Sequence, residues 1–135
     1  MSKFQAEFYQ KRNGEIPVED FLNSLDKKLR AKLVGLILIL EEKGNLLREP
    51  YSKHIEDEIF ELRGKVGTDV ARILYFFYYD GKIIFTNGFL KKTQKTPRNE
   101  ITKAKEYRKD YIERRLKDEK IWWLFKWTIT RRRIS

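Results

Sequence analysis

Cysteine is missing from this chain altogether. That excludes a disulfide framework and any thiolate metal site, and it suits a reducing, cytoplasmic setting. Histidine is almost missing too: His54 stands alone, and without a second histidine or a cysteine nearby a metal centre lacks ligands. A structural or surface role is the expectation for it, and neither a metal nor another cofactor is expected. Long apolar runs are absent. The most apolar stretch, Leu33–Leu40, covers eight residues, far short of the ~20 that span a bilayer. The N-terminus lacks the basic-then-apolar pattern of a secretory leader, so a soluble protein without a membrane partner is expected.

Acidic residues are scarce in one half only. Residues 1–60 carry 10 Lys/Arg against 11 Asp/Glu, whereas residues 61–135 carry 20 against 9, and the whole chain is +10. A basic half of this kind is an electrostatic footprint of nucleic-acid binding, although a merely solvated surface looks the same in composition. At 135 residues the chain suits a single domain with one core.

The stretch Glu58–Pro97 organises the rest. Glu58–Gly64 and Val70–Tyr79 read as strands, joined by turn chemistry at Lys65–Gly67 and Asp69. Asp80-Gly81 is a tight hairpin signal, and Lys82–Phe89 returns as a third strand. Alternation puts Arg72, Leu74, Phe76 and Tyr78 on one face of the second strand and Ala71, Ile73, Tyr75, Phe77 and Tyr79 on the other. An arginine inside so apolar a strand needs an open edge or a carboxylate partner such as Glu58, Glu61 or Asp80. Arg63 ends the first strand in a similar position, and Lys91, Lys92 and Lys95 follow the third. In an antiparallel meander these cations converge on one concave face, which suits an RNA backbone with unstacked bases. Of Tyr75, Phe76 and Phe77, at least two are expected in the core.

Before the meander, Lys3–Gln10 reads as a strand and Val18–Leu25 as a helix entered through Pro17. Asp26 caps a second helix, Lys27–Lys43, which Gly44 stops. Its Lys27, Lys28 and Arg30 lie in the first turn and Glu41 and Glu42 in the last, against the helix dipole. Its leucines recur at helical spacing, so this helix pair is expected on the sheet as core. Gly44–Ile55 reads as a loop. Thr96–Glu100 starts a further amphipathic helix, Arg98–Lys117.

The order and spacing of Phe60-Glu61-Leu62-Arg63, then Arg72-Ile73-Leu74-Tyr75, then Asn87-Gly88-Phe89-Leu90-Lys91-Lys92-Thr93-Gln94-Lys95-Thr96-Pro97 resemble the RelE/HigB-type toxins of bacterial toxin–antitoxin pairs, in particular their phage-derived, HigB-like branch. The resemblance covers roughly Lys3 to Leu116. It implies an α+β fold in which an N-terminal helix pair packs on a small twisted, mainly antiparallel sheet, with a further helix after it. It also implies a ribosome-dependent mRNA endoribonuclease, with mRNA, ribosomal RNA and a helix-turn-helix antitoxin as partners. Such cleavage needs no metal: the ribose 2′-OH attacks the adjacent phosphate, leaving a 2′,3′-cyclic phosphate and a 5′-OH. By this resemblance Arg63, Arg72, Lys91 and Lys92 are the catalytic candidates, while Lys65, Lys95, Phe89 and Arg98 are expected on the RNA. Many relatives have His where this chain has Asn87, and an amide is no general base. Tyr78, a lysine or the ribosome's own groups are left as proton acceptors.

A RelE-like domain over residues 1–117 leaves residues 118–135 as an extension rich in aromatic and basic residues. Its run Trp122, Trp123, Leu124, Phe125 and Trp127, ending in Arg131-Arg132-Arg133, adds a strand or helix, or serves self-association or a partner contact. Two rival functions are a non-catalytic RNA- or ribosome-binding translation inhibitor and a phage-derived interaction protein.

Overall fold

The computed structural model describes residues 3–91 and 94–134, with side chains as far as Thr128. In chain order the elements are β1 (Gln5–Phe8), α1 (Pro17–Ser24), α2 (Lys27–Lys43), β2 (Ser52–Glu56), β3 (Ile59–Val66), β4 (Asp69–Tyr78), β5 (Lys82–Leu90) and α3 (Arg98–Ile134), with a short 3-10 turn at Gly44–Leu46. The fold is α+β. Its five-stranded sheet runs β1-β5-β4-β3-β2, antiparallel except where β1 lies parallel to β5.

Helix ends follow local chemistry. Pro17 opens α1, and the Asp26 carboxylate accepts from Leu29 N at 2.9 Å to cap α2. Gly44 ends α2 at φ 53°. Leu29, Leu33, Leu36, Ile37 and Leu40 are buried along α2 against Leu62, Ala71, Ile73 and Tyr75. Each buried leucine contributes about 1.5–3 kcal/mol, which outweighs the reversed charges at the helix ends. Gly64 on β3 lets α2 approach closely: a Cβ there would meet Leu33 Cδ2 at 2.5 Å. The sheet's second face holds Ile59, Leu74, Phe76 and Ile84 beneath Ala104 and Tyr111 of α3. The two faces of β4 are thus divided between helix layers as alternation predicts, and Tyr75 and Phe76 are core.

Four features differ from the sequence expectation. The N-terminal strand is four residues long. The segment read as a loop contains β2, whose first residue, Ser52, is buried with its hydroxyl against the Tyr75 hydroxyl. The second hairpin loop takes in Tyr79 as well as Asp80 and Gly81, so Tyr78 pairs with Lys82; both Asp80 and Gly81 adopt positive φ, 63° and 69°. This one-residue slip turns Ile83 and Phe85 toward α1 and α2. A bulge then restores the register: Tyr75 faces Phe85, Leu74 faces Asn87, and Thr86 is the extra residue. Beyond it Asn87, Phe89 and Lys91 face the α3 side. Finally, α3 does not stop at Lys117 but runs on to Ile134, 37 residues from Arg98 and about 55 Å at helical rise. Its far part carries Ile121, Trp122, Trp123, Leu124, Phe125 and Trp127, each 52–69% exposed. Among the described residues no helix is long and apolar enough to cross a membrane.

Candidate nucleic-acid interface

Register decides which charges meet. Arg63 on β3 pairs with Arg72 on β4, so both side chains leave the sheet on the α3 face, and Glu61, two residues before Arg63, joins them. Glu61 is fully buried and Arg72 is 1% exposed. One carboxylate serves both cations: Arg63 Nε donates to Oε1 at 2.8 Å, and Arg72 Nη1 donates to Oε2 at 3.3 Å. Gln94 and Thr96, after β5, close over them. Thr96 Oγ1 donates to the same Oε2 at 2.6 Å, and Arg72 Nη2 donates to the Gln94 carbonyl at 3.3 Å. Two like charges side by side are tolerated because a buried anion bridges them.

The arginines therefore differ in access. Arg72 is sealed beneath Gln94 and Thr96, while the Arg63 side chain stays 27% exposed. Arg63 forms the wall between two hollows. The larger, about 300 Å³, is lined by Lys32, Pro50, Tyr51, Arg63, Lys65, Val70 and Lys91. The smaller, about 220 Å³, holds Lys53, His54, Lys95 and Thr96 among its lining, with Glu56 its only carboxylate. Four cations and a tyrosine ring with no acidic side chain give the larger hollow a positive lining of the kind that suits a polyanion. Lys91 is held there by its backbone, whose N–H donates to the Val70 carbonyl at 2.8 Å.

The other expected residues fall in different places. Lys65 lines the larger hollow and Lys95 the smaller. Phe89 is half-buried against the core under α3, so it is packed and not presented to a base. Arg98 grips Glu56 through both terminal nitrogens, at 2.6 and 2.8 Å, and its charge is thereby tied at the start of α3. Lys92 lies outside the described residues. Tyr51 and Lys32 were not anticipated: Tyr51 depends on the unexpected β2, and Lys32 comes from α2, with no local signal linking it to the meander.

The candidates for a proton acceptor are also placed. Asn87 is buried and donates its Nδ2 to the Glu100 carbonyl and carboxylate at 3.2 and 3.0 Å; it pins α3. Tyr78 packs against Tyr111, and lies six residues along β4 from Arg72, about 20 Å away. His54 is exposed beside the Phe60 ring with Nε2 against the Asp57 carbonyl. Among the described residues no cluster of His, Asp and Glu could hold a metal ion. A separate hollow of about 230 Å³ between β1 and α3 is lined by Arg114 and Arg115, paired with Asp110 at 2.8 Å and Glu7 at 3.2 Å, and by Asp118.

Glu56 couples the interface to α3. Hydrogen bonds from Arg98, and then Lys105, hold its carboxyl down to about 2, from an ordinary 4.5. A carboxyl depressed in the folded state stabilises the fold above its ordinary value, and that contribution is lost as pH falls through about 4.5 to 2. Unfolding midpoints of the wild-type protein and Glu56→Gln are therefore expected to differ at pH 7 and to converge toward pH 2. A gap that persists at pH 2 would remove the ionic explanation.

Residues 20–109 match the family described as phage derived protein Gp49-like (DUF891). No curated protein matches the chain. The matched span contains every residue lining the larger hollow.

Proposed function

Because the chain belongs to the phage-derived Gp49-like family, which is related to toxin–antitoxin systems, we propose that it is the toxin of such a pair and cleaves mRNA on the ribosome. The observation that carries this reading is the basic hollow walled by Arg63, Lys65 and Lys91. In this scheme the ribose 2′-OH attacks the neighbouring phosphate in line, and the 5′-oxygen departs. Arg63 is the accessible guanidinium and stabilises charge developing on the phosphate oxygens, with a planar fork suited to them. Lys65 and Lys91 hold flanking phosphates, and the half-exposed Tyr51 ring supports a base. Arg72 acts through Glu61, setting the position of Arg63 and never reaching substrate.

The larger hollow offers charge and a ring but no imidazole or carboxylate. A reaction that must take a proton from the 2′-OH and give one to the departing 5′-oxygen then uses a lysine of the hollow or groups of the ribosome, which also sets the in-line geometry. That gap also favours a second reading, a non-catalytic inhibitor that occupies an RNA site. In either case a small helix-turn-helix antitoxin is the partner expected to cover the hollow.

Induced expression followed by 5′-end mapping of cellular mRNA separates the readings. Discrete cuts leaving 2′,3′-cyclic phosphates are expected, and they should fade in the Lys65→Ala/Lys91→Ala double variant. Growth arrest without cuts would favour occupancy, and no arrest at all would overturn both.

A further inference from the structure

The outer face of α2 exposes apolar side chains. Its inner stripe is buried in the core, yet Val34, Leu38 and Ile39 on other sides are 42%, 57% and 43% exposed. A helix apolar on opposite sides is one that expects cover on both. Near the middle of that outer face sits Gly35, where an added Cβ would meet nothing within 4 Å. Glycine weakens a helix, and here no contact within the chain requires it. Close approach by another helix would give it a use, with exposed Ala31 one turn earlier supplying a second small side chain.

Charge identifies the occupant. Lys28, Gly35 and Glu42 lie seven residues apart on one line of the helix, with Lys28 near its start and Glu42 near its end. This order opposes the helix dipole, but it is self-complementary. Turned about a two-fold axis through Gly35, a second α2 runs antiparallel and sets its Glu42 opposite Lys28, and its Lys28 opposite Glu42. The same operation places Ala31 against the copy's Ile39 and Lys32 against the copy's Leu38, so each small or flexible residue faces a larger apolar one. A contact of this kind is isologous and closes at two copies.

We propose that this face of α2 is a homodimer interface, formed by antiparallel pairing of two α2 helices around Gly35. The pairing does not rest on the RNA-cleaving reading: of the residues it uses only Lys32 also lines the basic hollow, and none of the substitutions that test it changes Lys32. A single helix pair is a small interface, so association should depend on concentration.

Sedimentation velocity of the full chain over about 1–100 µM, the range in which interfaces of modest size dissociate, tests it. The wild-type protein should pass from 16.4 kDa to twice that mass. Lys28→Glu and Glu42→Lys should each weaken the dimer by roughly tenfold or more, because each places like charges in contact. The double variant Lys28→Glu/Glu42→Lys should restore it. Gly35→Leu should abolish the dimer while raising the monomer's thermal midpoint, which separates lost pairing from lost folding. A monomer at every concentration would overturn the proposal. So would a dimer indifferent to charge reversal, which would point to the aromatic end of α3.

Discussion

Glu61→Gln is expected to lower the unfolding free energy by about 3–5 kcal/mol, the cost of stripping a buried cation of its counter-ion. Glu61 is fully buried and bridges Arg63 and Arg72, and it also accepts from Thr96. Without its charge, Arg72 remains 1% exposed with Gln94 and Thr96 as its described partners. For a domain whose whole stability is about 5–15 kcal/mol, the loss is severe. Urea denaturation would read it as a lower midpoint at unchanged slope. Glu61→Leu/Arg72→Met removes both charges and should recover most of the loss, since apolar replacement of a buried pair is often neutral. A single-variant cost below about 1 kcal/mol, the scale of an exposed pair, would mean that Glu61 is not the counter-ion of a buried charge.

Arg63→Gln is expected to act on the proposed cleavage and leave folding nearly intact. Losing one preorganised donor to a developing oxyanion typically costs about 10²–10³ in rate. The stability change should stay near 1 kcal/mol, because Arg63 is partly exposed and Glu61 retains Arg72 and Thr96. Arg63→Lys keeps the charge but not the planar fork, so it should be intermediate. The rate is read from 5′-end mapping after induction, and the fold from the thermal midpoint. Full toxicity with Gln at position 63 would remove Arg63 from the chemistry. Arg72→Gln should show the opposite balance, losing stability first.

That contrast between two arginines was only half legible in the sequence. Alternation placed Arg72 on a face with Leu74 and Phe76 and asked for an open edge or a carboxylate partner, with Glu61 among the candidates. It could not say which arginine would be sealed, because the seal comes from Gln94 and Thr96, more than twenty residues along the chain. The hairpin at Asp80-Gly81 was readable from turn chemistry, but the inclusion of Tyr79 in the loop was not. A slip of one residue changes which face Ile83 and Phe85 occupy, and packing against α1 and α2 selects it. The bulge at Thr86 reverses the change, so Lys91 still arrives on the face of Arg63.

Helix starts, the stop at Gly44, the three central strands, the buried stripe of α2 and the basic bias of the second half follow from the residues themselves. They depend on contacts within a few positions, where propensity, capping and periodicity act. The strand β2, the joining of Tyr51 and Lys32 to the hollow and the sealing of Arg72 were decided by tertiary structure. Each depends on groups distant in the chain meeting in space, and such meetings leave no mark on a local pattern.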